Sequence, residues 1–133
     1  MNKNRSYQSA KEVMTKKLIF INGMATAKEA VEIMRKEKVE SLIVKKRHHQ
    51  DVCGIVNVHD FIKGVIIKDK TSEEVNIFEI MTKPLISVPA NMDIRYVAKL
   101  LIITGIRMAP VEENSEYIGM VSLSDLILEN LLF

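Results

Sequence analysis

The 133-residue sequence predicts an α+β fold in which two pseudo-symmetric β-α-β-β-α repeats pack sheet to sheet. Three observations predict it. The chain repeats itself, each copy carries the same order of hydrophobic patterns, and each copy is too small to bury a comfortable core alone. Met14-Thr15-Lys16 recurs as Met81-Thr82-Lys83, an offset of 67, and at that offset Ala30 meets Val97, Met34 meets Leu101 and Val44 meets Val111. Further on, residues 54–61 match residues 119–126 at an offset of 65. The first copy therefore carries two extra residues, in the polar stretch 45–51. Insertions collect at loop tips, so this stretch reads as a solvated hairpin tip.

The elements follow in order. Residues 18–21 and 85–88 are short apolar runs with β-branched side chains, predicted as buried strands. Asn22-Gly23 and Pro89-Ala90-Asn91 are turn signals after them. Ala27, Ala30, Val31 and Met34 then fall on one helical face, as do Ile94, Val97, Ala98 and Leu101, with Thr26 and Asp93 as caps or first-turn residues. A strand (42–45, 108–112), a hairpin and a second strand (52–57, 117–122) come next. A final helix starts near His59 and Ser124. Short helical lead-ins are expected over residues 9–14 and 77–81. This divides the chain into a basic N-terminal tail (1–11), repeat one (12–68), a polar linker (69–75) and repeat two (76–133).

Composition bounds the function. The 47% hydrophobic content supports a packed core, and 5% aromatics with no Trp makes that core aliphatic. A net charge of +2 is too small a footprint for nucleic acid, and Lys45-Lys46-Arg47 has no aromatic neighbours for base stacking. Cys53, the one cysteine, cannot form an intrachain disulfide, which fits a reducing, cytoplasmic location. The N-terminus shows no signal-like apolar stretch, and the apolar runs are far shorter than the ~20 residues of a membrane span. Cys53 sits among Val52, Ile55 and Val56 and reads as an inert core residue. His48-His49 would point to opposite faces of a strand, and with His59 alone besides they make no tetrahedral metal site. No P-loop, hydrolase elbow or dinucleotide fingerprint is found, so no enzyme activity, catalytic residue, cofactor or metal is expected.

The repeated motif is Met-Thr, an amphipathic helix, an apolar strand, then Gly-apolar-apolar-x-x-x-Asp opening the last helix. Repeat two reads Met81-Thr82, Met108-Ala109-Pro110-Val111 and Gly119-Met120-Val121-Ser122-Leu123-Ser124-Asp125. Repeat one reads Met14-Thr15, Leu42-Ile43-Val44 and Gly54-Ile55-Val56-Asn57-Val58-His59-Asp60. Over residues 12–132 the chain resembles a tandem pair of cystathionine-β-synthase-type (CBS) domains, the Bateman module. The resemblance implies a regulatory module holding AMP, ADP, ATP or another adenosyl compound in clefts between the repeats, and a regulated protein that answers to it.

On that reading Asp125 and Asp60 are the ribose anchors, because one carboxylate can accept hydrogen bonds from both vicinal hydroxyls. Either aspartate also reads simply as a helix cap. Ser122, Ser124, Arg107 and Asn57 are the candidate phosphate ligands, helped by unpaired N–H groups at the helix start. The adenine slot beside Asp125 is assigned to Ile19, Val39 and Met120, and that beside Asp60 to Ile86, Ile55 and Ile106. Glu40 stands where repeat two has Arg107, which favours the Asp125 cleft as the single occupied one. The apolar C-terminal stretch 125–133 is expected to pack on a second copy in a homodimer. The alternatives are a ligand-free dimeric interaction scaffold and a weak nucleic-acid-binding module.

Overall fold

A computed structural model describes residues 7–133, so Lys3 and Arg5 of the basic tail lie outside the described residues. The elements are α1 (Ala10–Val13), β1 (Phe20–Ile21), α2 (Ala27–Glu37), β2 (Ser41–Val44), β3 (Gly54–Asn57), α3 (Val58–Phe61), α4 (Ile77–Ile80), β4 (Val88–Pro89), α5 (Ile94–Thr104), β5 (Met108–Glu113), β6 (Glu116–Ser122) and α6 (Leu123–Leu128). A π-helical turn (Ile62–Ile66) continues α3. The expected β-α-β-β-α order recurs in both halves. Among the described residues no helix is long and apolar enough to cross a membrane.

The chain forms two compact units, and they do not follow the sequence repeats. One is Ile19–Leu85; the other joins the segment ending at Leu18 to Ile86–Phe133. Each Met-Thr lead-in therefore packs on the core of the other repeat.

In the unit Ile19–Leu85 the sheet order is β1-β2-β3. β1 runs parallel to β2 (Phe20 opposite Ile43), and β2 antiparallel to β3 (Leu42 opposite Val56). Leu42, Val44 and Val56 alternate onto one face and meet Ala27, Ala30 and Met34 of α2, Phe61 and Val65. Ile77 of α4 and Val75 complete this aliphatic core, nearly or fully removed from water. α2 begins with a capping box: Thr26 N–H donates to Glu29 Oε1 (2.9 Å) and Glu29 N–H to Thr26 Oγ1 (3.1 Å). The Thr26 N–H first, then the Thr26 hydroxyl donating to Glu29 Oε1 (3.1 Å), hold the Glu29 carboxyl below its ordinary range. Met81-Thr82 then adds to the sheet edge: Ile55 N–H donates to the Thr82 carbonyl (2.9 Å) and Thr82 N–H to that of Ile55 (2.8 Å). Neighbouring Gly54 permits this approach, because a Cβ there would lie 3.0 Å from the Thr82 oxygen.

The second unit repeats the plan. Its sheet order is β4-β5-β6, and its core joins Ala10 and Val13 of α1 to Val97, Leu101, Ala109, Val111, Val121 and Leu126. Asp93 caps α5 by accepting from Arg95 N–H (2.9 Å), and Gly105 ends it at φ 72°, where glycine is favoured. Thr15 and Met120 exchange backbone hydrogen bonds of 2.9 and 2.8 Å. A Cβ on Gly119 would sit 2.6 Å from the Thr15 carbonyl.

Several local expectations are corrected. The first strand of each half is shorter than the apolar run, because only Phe20–Ile21 and Val88–Pro89 find a parallel partner. Cys53 lies just before β3 and is partly exposed; its carbonyl accepts from Leu85 N–H at 3.1 Å. The hairpin tip is not wholly solvated. The Asp51 side chain is only 7% exposed, paired with Lys83 Nζ (2.7 Å) and Arg47 Nε (3.0 Å). The Lys83 ammonium first, then the Arg47 backbone and guanidinium, hold the Asp51 carboxyl far below the usual carboxylate range. The linker is pinned as well: Lys28 N–H donates to the Ser72 carbonyl (3.0 Å) and Ala27 N–H to that of Val75 (2.8 Å).

Two stability predictions follow from these contacts. Gly119→Ala forces the Met14-Thr15 crossing apart and lowers stability by roughly 1–3 kcal/mol, the usual range for overpacking; denaturant unfolding measures it. Asp51→Asn lowers the melting temperature at pH 7. Because the folded pKa of Asp51 is depressed, its contribution is present above the unfolded value of about 3.9 and fades as pH falls below it. The gap between parent and variant melts, read by circular dichroism, therefore narrows from pH 7 toward pH 3.

Candidate functional site

The two aspartates singled out by sequence occupy equivalent places, each at the third position of the last helix of its repeat. Ser122 N–H donates to Asp125 Oδ2 (2.9 Å) while Asp125 N–H donates to Ser122 Oγ (3.1 Å). In the other unit Asn57 N–H donates to Asp60 Oδ2 (2.9 Å) and Asp60 N–H to Asn57 Oδ1 (3.2 Å). Both are capping boxes, so Ser122 and Asn57 are the N-caps. The cap occupies one carboxylate oxygen, and a carboxylate has about four acceptor sites. Oδ1 of each aspartate keeps the capacity to accept from a ligand hydroxyl.

α6 has six residues, and α3 has four but continues without a break into the π turn to Ile66.

Asp60 lines a cleft of about 370 Å³ inside the unit Ile19–Leu85. Lys63, Lys68 and Lys70 stand around it with Thr82 and Glu79, and Val75, Ile80 and Met81 supply an apolar wall. Gly64 lets the π turn close on α4; a Cβ there would collide with Ile80. Glu79 is occupied as the capping partner of α4, accepting from Asn76 N–H at 2.7 Å. Burial pushes the Asp60 carboxyl above its ordinary range, against the opposing effects of the Asn57 N–H and the charges of His59 and Lys63. Glu40, expected to repel phosphate here, is not among the residues that line the cleft. A separate hollow of about 290 Å³ in the same unit is lined by Val31, Met34, Val39, Val58, Phe61 and Ile62 with Arg35 at its edge.

The remaining expected residues are dispersed within their own units. Val39, expected beside Asp125, lines the apolar hollow of the unit Ile19–Leu85. Ile19 is half-buried against its unit's core, and its carbonyl accepts from Ile43 N–H at 2.9 Å. Ile55 is buried and bonded through its backbone to Thr82, as half-buried Met120 is to Thr15. Ile106 packs on the core of the second unit, whereas Ile86 is 39% exposed. Arg107 and Ser124 are exposed near the start of α6, and the Arg107 carbonyl accepts from Leu123 N–H at 2.9 Å. The residues missed from sequence are Lys63, Lys68, Lys70 and Thr82. Thr82 was visible as half of a repeated Met-Thr pair, but a lysine-rich segment after a helix looks the same as a solvated linker.

Comparison with known proteins agrees with this architecture. The CBS domain family model matches residues 10–66 and 77–131. An uncharacterized protein of Methanopyrus kandleri is 29% identical over 120 residues, covering 90% of this chain, and the chain spans 61% of that protein's length. The hexameric CBS-CP12 protein from bloom-forming cyanobacteria superposes with a TM-score of 0.88 at 35% identity, over 93% of this chain and 68% of its own. The CBS domain pair of protein MJ0100, solved in complex with 5′-methylthioadenosine and S-adenosyl-L-methionine, gives a TM-score of 0.77 at 24% identity, over 91% of this chain and 94% of its own, a likeness of fold. With both sequence repeats matched and the whole fold shared, this chain belongs to the CBS domain family, whose paired repeats form regulatory ligand-binding modules.

Proposed function

We propose that this chain is a non-catalytic sensor that binds an adenine nucleotide or related adenosyl compound, with Asp60 as the ribose anchor. The observation that carries the reading is the Asp60 cleft itself. It combines a carboxylate with one oxygen spoken for and one to spare, an apolar wall for a base, and ammonium groups for phosphate. Its chemistry is that of recognition: acceptors, donors and a hydroxyl arranged around a hollow. The adenosyl ligands of the MJ0100 pair support the ligand class. Asp125, with the same capping geometry, is the equivalent anchor of the other repeat.

Asp60 also bears the mark of a group kept for binding rather than stability. Its folded pKa is raised, so its contribution is fully present below the unfolded value of about 3.9 and is lost as pH rises through the folded value. A ligand hydroxyl donating to Oδ1 offsets the desolvation of the carboxylate.

The readout is a change of assembly. Ile102 and Ile103 of α5 are 67% and 80% exposed, and Leu128, Leu131 and Phe133 beyond them are 78%, 91% and 84% exposed. Exposed apolar side chains of this kind call for a covering partner, and a second copy is the simplest one. The hexameric state of the CBS-CP12 protein is in keeping with self-association. A bound ligand shifts such an equilibrium only by its differential affinity for the two states.

The test is a thermal-shift series with AMP, ADP, ATP, GTP and S-adenosylmethionine, followed by calorimetry. At 100 times its dissociation constant a true ligand stabilises the fold by about 2.7 kcal/mol. Asp60→Asn, which keeps a capping oxygen, is expected to weaken binding by roughly 1–3 kcal/mol while melting no lower than the parent at pH 7. Unchanged affinity in Asp60→Asn with a loss in Asp125→Asn moves the site to the other repeat. No shift with any compound leaves the interaction scaffold as the better reading.

A further inference from the structure

We propose that Lys63, Lys68 and Lys70 form a polyphosphate subsite, so that the Asp60 cleft selects ligands bearing two or more phosphates. The inference rests on the adenosyl reading for its anchor at Asp60 and adds what lies beyond the ribose. Lys63 stands three residues after Asp60, where the helix widens into the π turn, and Lys68 and Lys70 follow that turn on the same cleft. The Lys68 and Lys70 ammonium groups make no hydrogen bond or ion pair among the described residues. The one other carboxylate on the cleft, Glu79, is engaged by the Asn76 N–H. Three lysines thus line the cleft with two carboxylates, each of which has one oxygen taken up as a capping partner. That leaves one positive charge in excess among the cleft's lining residues, with Asp69, Glu73 and Glu74 nearby in the chain but not on the lining, and attraction for an anion held there grows with each added phosphate. A cationic sulfonium ligand meets repulsion at the same place.

The two repeats are not equivalent in this respect. At the offset that aligns Asp60 with Asp125, Lys63 aligns with Leu128 and Lys68 with Phe133. The anchor is duplicated, whereas Lys63 and Lys68 are not. Polyphosphate preference therefore belongs to the Asp60 cleft alone.

The experiment is titration calorimetry of the full chain, without divalent metal, using adenosine, AMP, ATP and inorganic tripolyphosphate at low and moderate salt. The parent is expected to bind ATP about tenfold or more tighter than AMP at low salt, with the gap narrowing as salt rises. The double variant Lys68→Gln/Lys70→Gln should lose about tenfold in ATP affinity and keep adenosine within about twofold, with unchanged circular dichroism. Equal affinity for AMP and ATP, or an ATP affinity indifferent to the double variant, overturns the subsite while leaving adenosyl binding intact. Tripolyphosphate binding that the double variant abolishes, without any adenosine binding, supports the subsite and removes the adenosyl reading instead. Absence of binding by all four compounds overturns both.

Discussion

The architecture depends on one crossing made twice, a Met-Thr segment laid across a glycine at the edge of a sheet. Thr82 exchanges two backbone hydrogen bonds with Ile55 beside Gly54, and Thr15 does the same with Met120 beside Gly119. Each exchange satisfies backbone groups at a strand edge that would otherwise need water or another partner. It also carries the preceding helix into a core where Ile77, or Ala10 and Val13, become fully buried. The Met-Thr and Gly positions of the motif are thus the two sides of one contact. In the unit Ile19–Leu85 the same crossing brings Met81 and Thr82 to the Asp60 cleft, so the element that completes the fold also completes the site.

What could be read from the sequence was local. The capping pairs at Thr26 and Asp93, the helical stripes and the order of elements all follow from side-chain chemistry within a few residues, and periodicity reports it directly. The doubled Gly-to-Asp motif located both aspartates, and each sits in a hydrogen-bonded cap at the start of a helix. What could not be read was distant. Thr15 and Met120 are 105 residues apart, and no pattern near either announces the other. Asp51 looked like a solvated hairpin tip because its partner Lys83 lies 32 residues on. The strand ends were overextended because apolar character continues past the last residue that finds a hydrogen-bonding neighbour. Lys68 and Lys70 resembled an ordinary linker, since charge alone does not distinguish a solvated run from the wall of a cleft.

The cleft illustrates how a duplicated unit can specialise. The capping box is retained in both halves, with Asn57 in one and Ser122 in the other as the N-cap. Around it the side chains differ: Lys63 and Lys68 follow Asp60 at the positions that Leu128 and Phe133 hold after Asp125, while exposed apolar residues follow both aspartates. On the proposed reading the lysines suit the first half to an anion, although both halves share the same capping geometry.

The most direct test of this account is a residue-by-residue titration of the ¹⁵N-labelled chain with ATP by nuclear magnetic resonance. The account predicts that the amide signals of Asp60, Lys63, Gly64 and Thr82 move together and saturate with a single affinity. Movement confined to the apolar hollow around Val39 and Phe61, or no saturable movement at the Asp60 cleft, would contradict it.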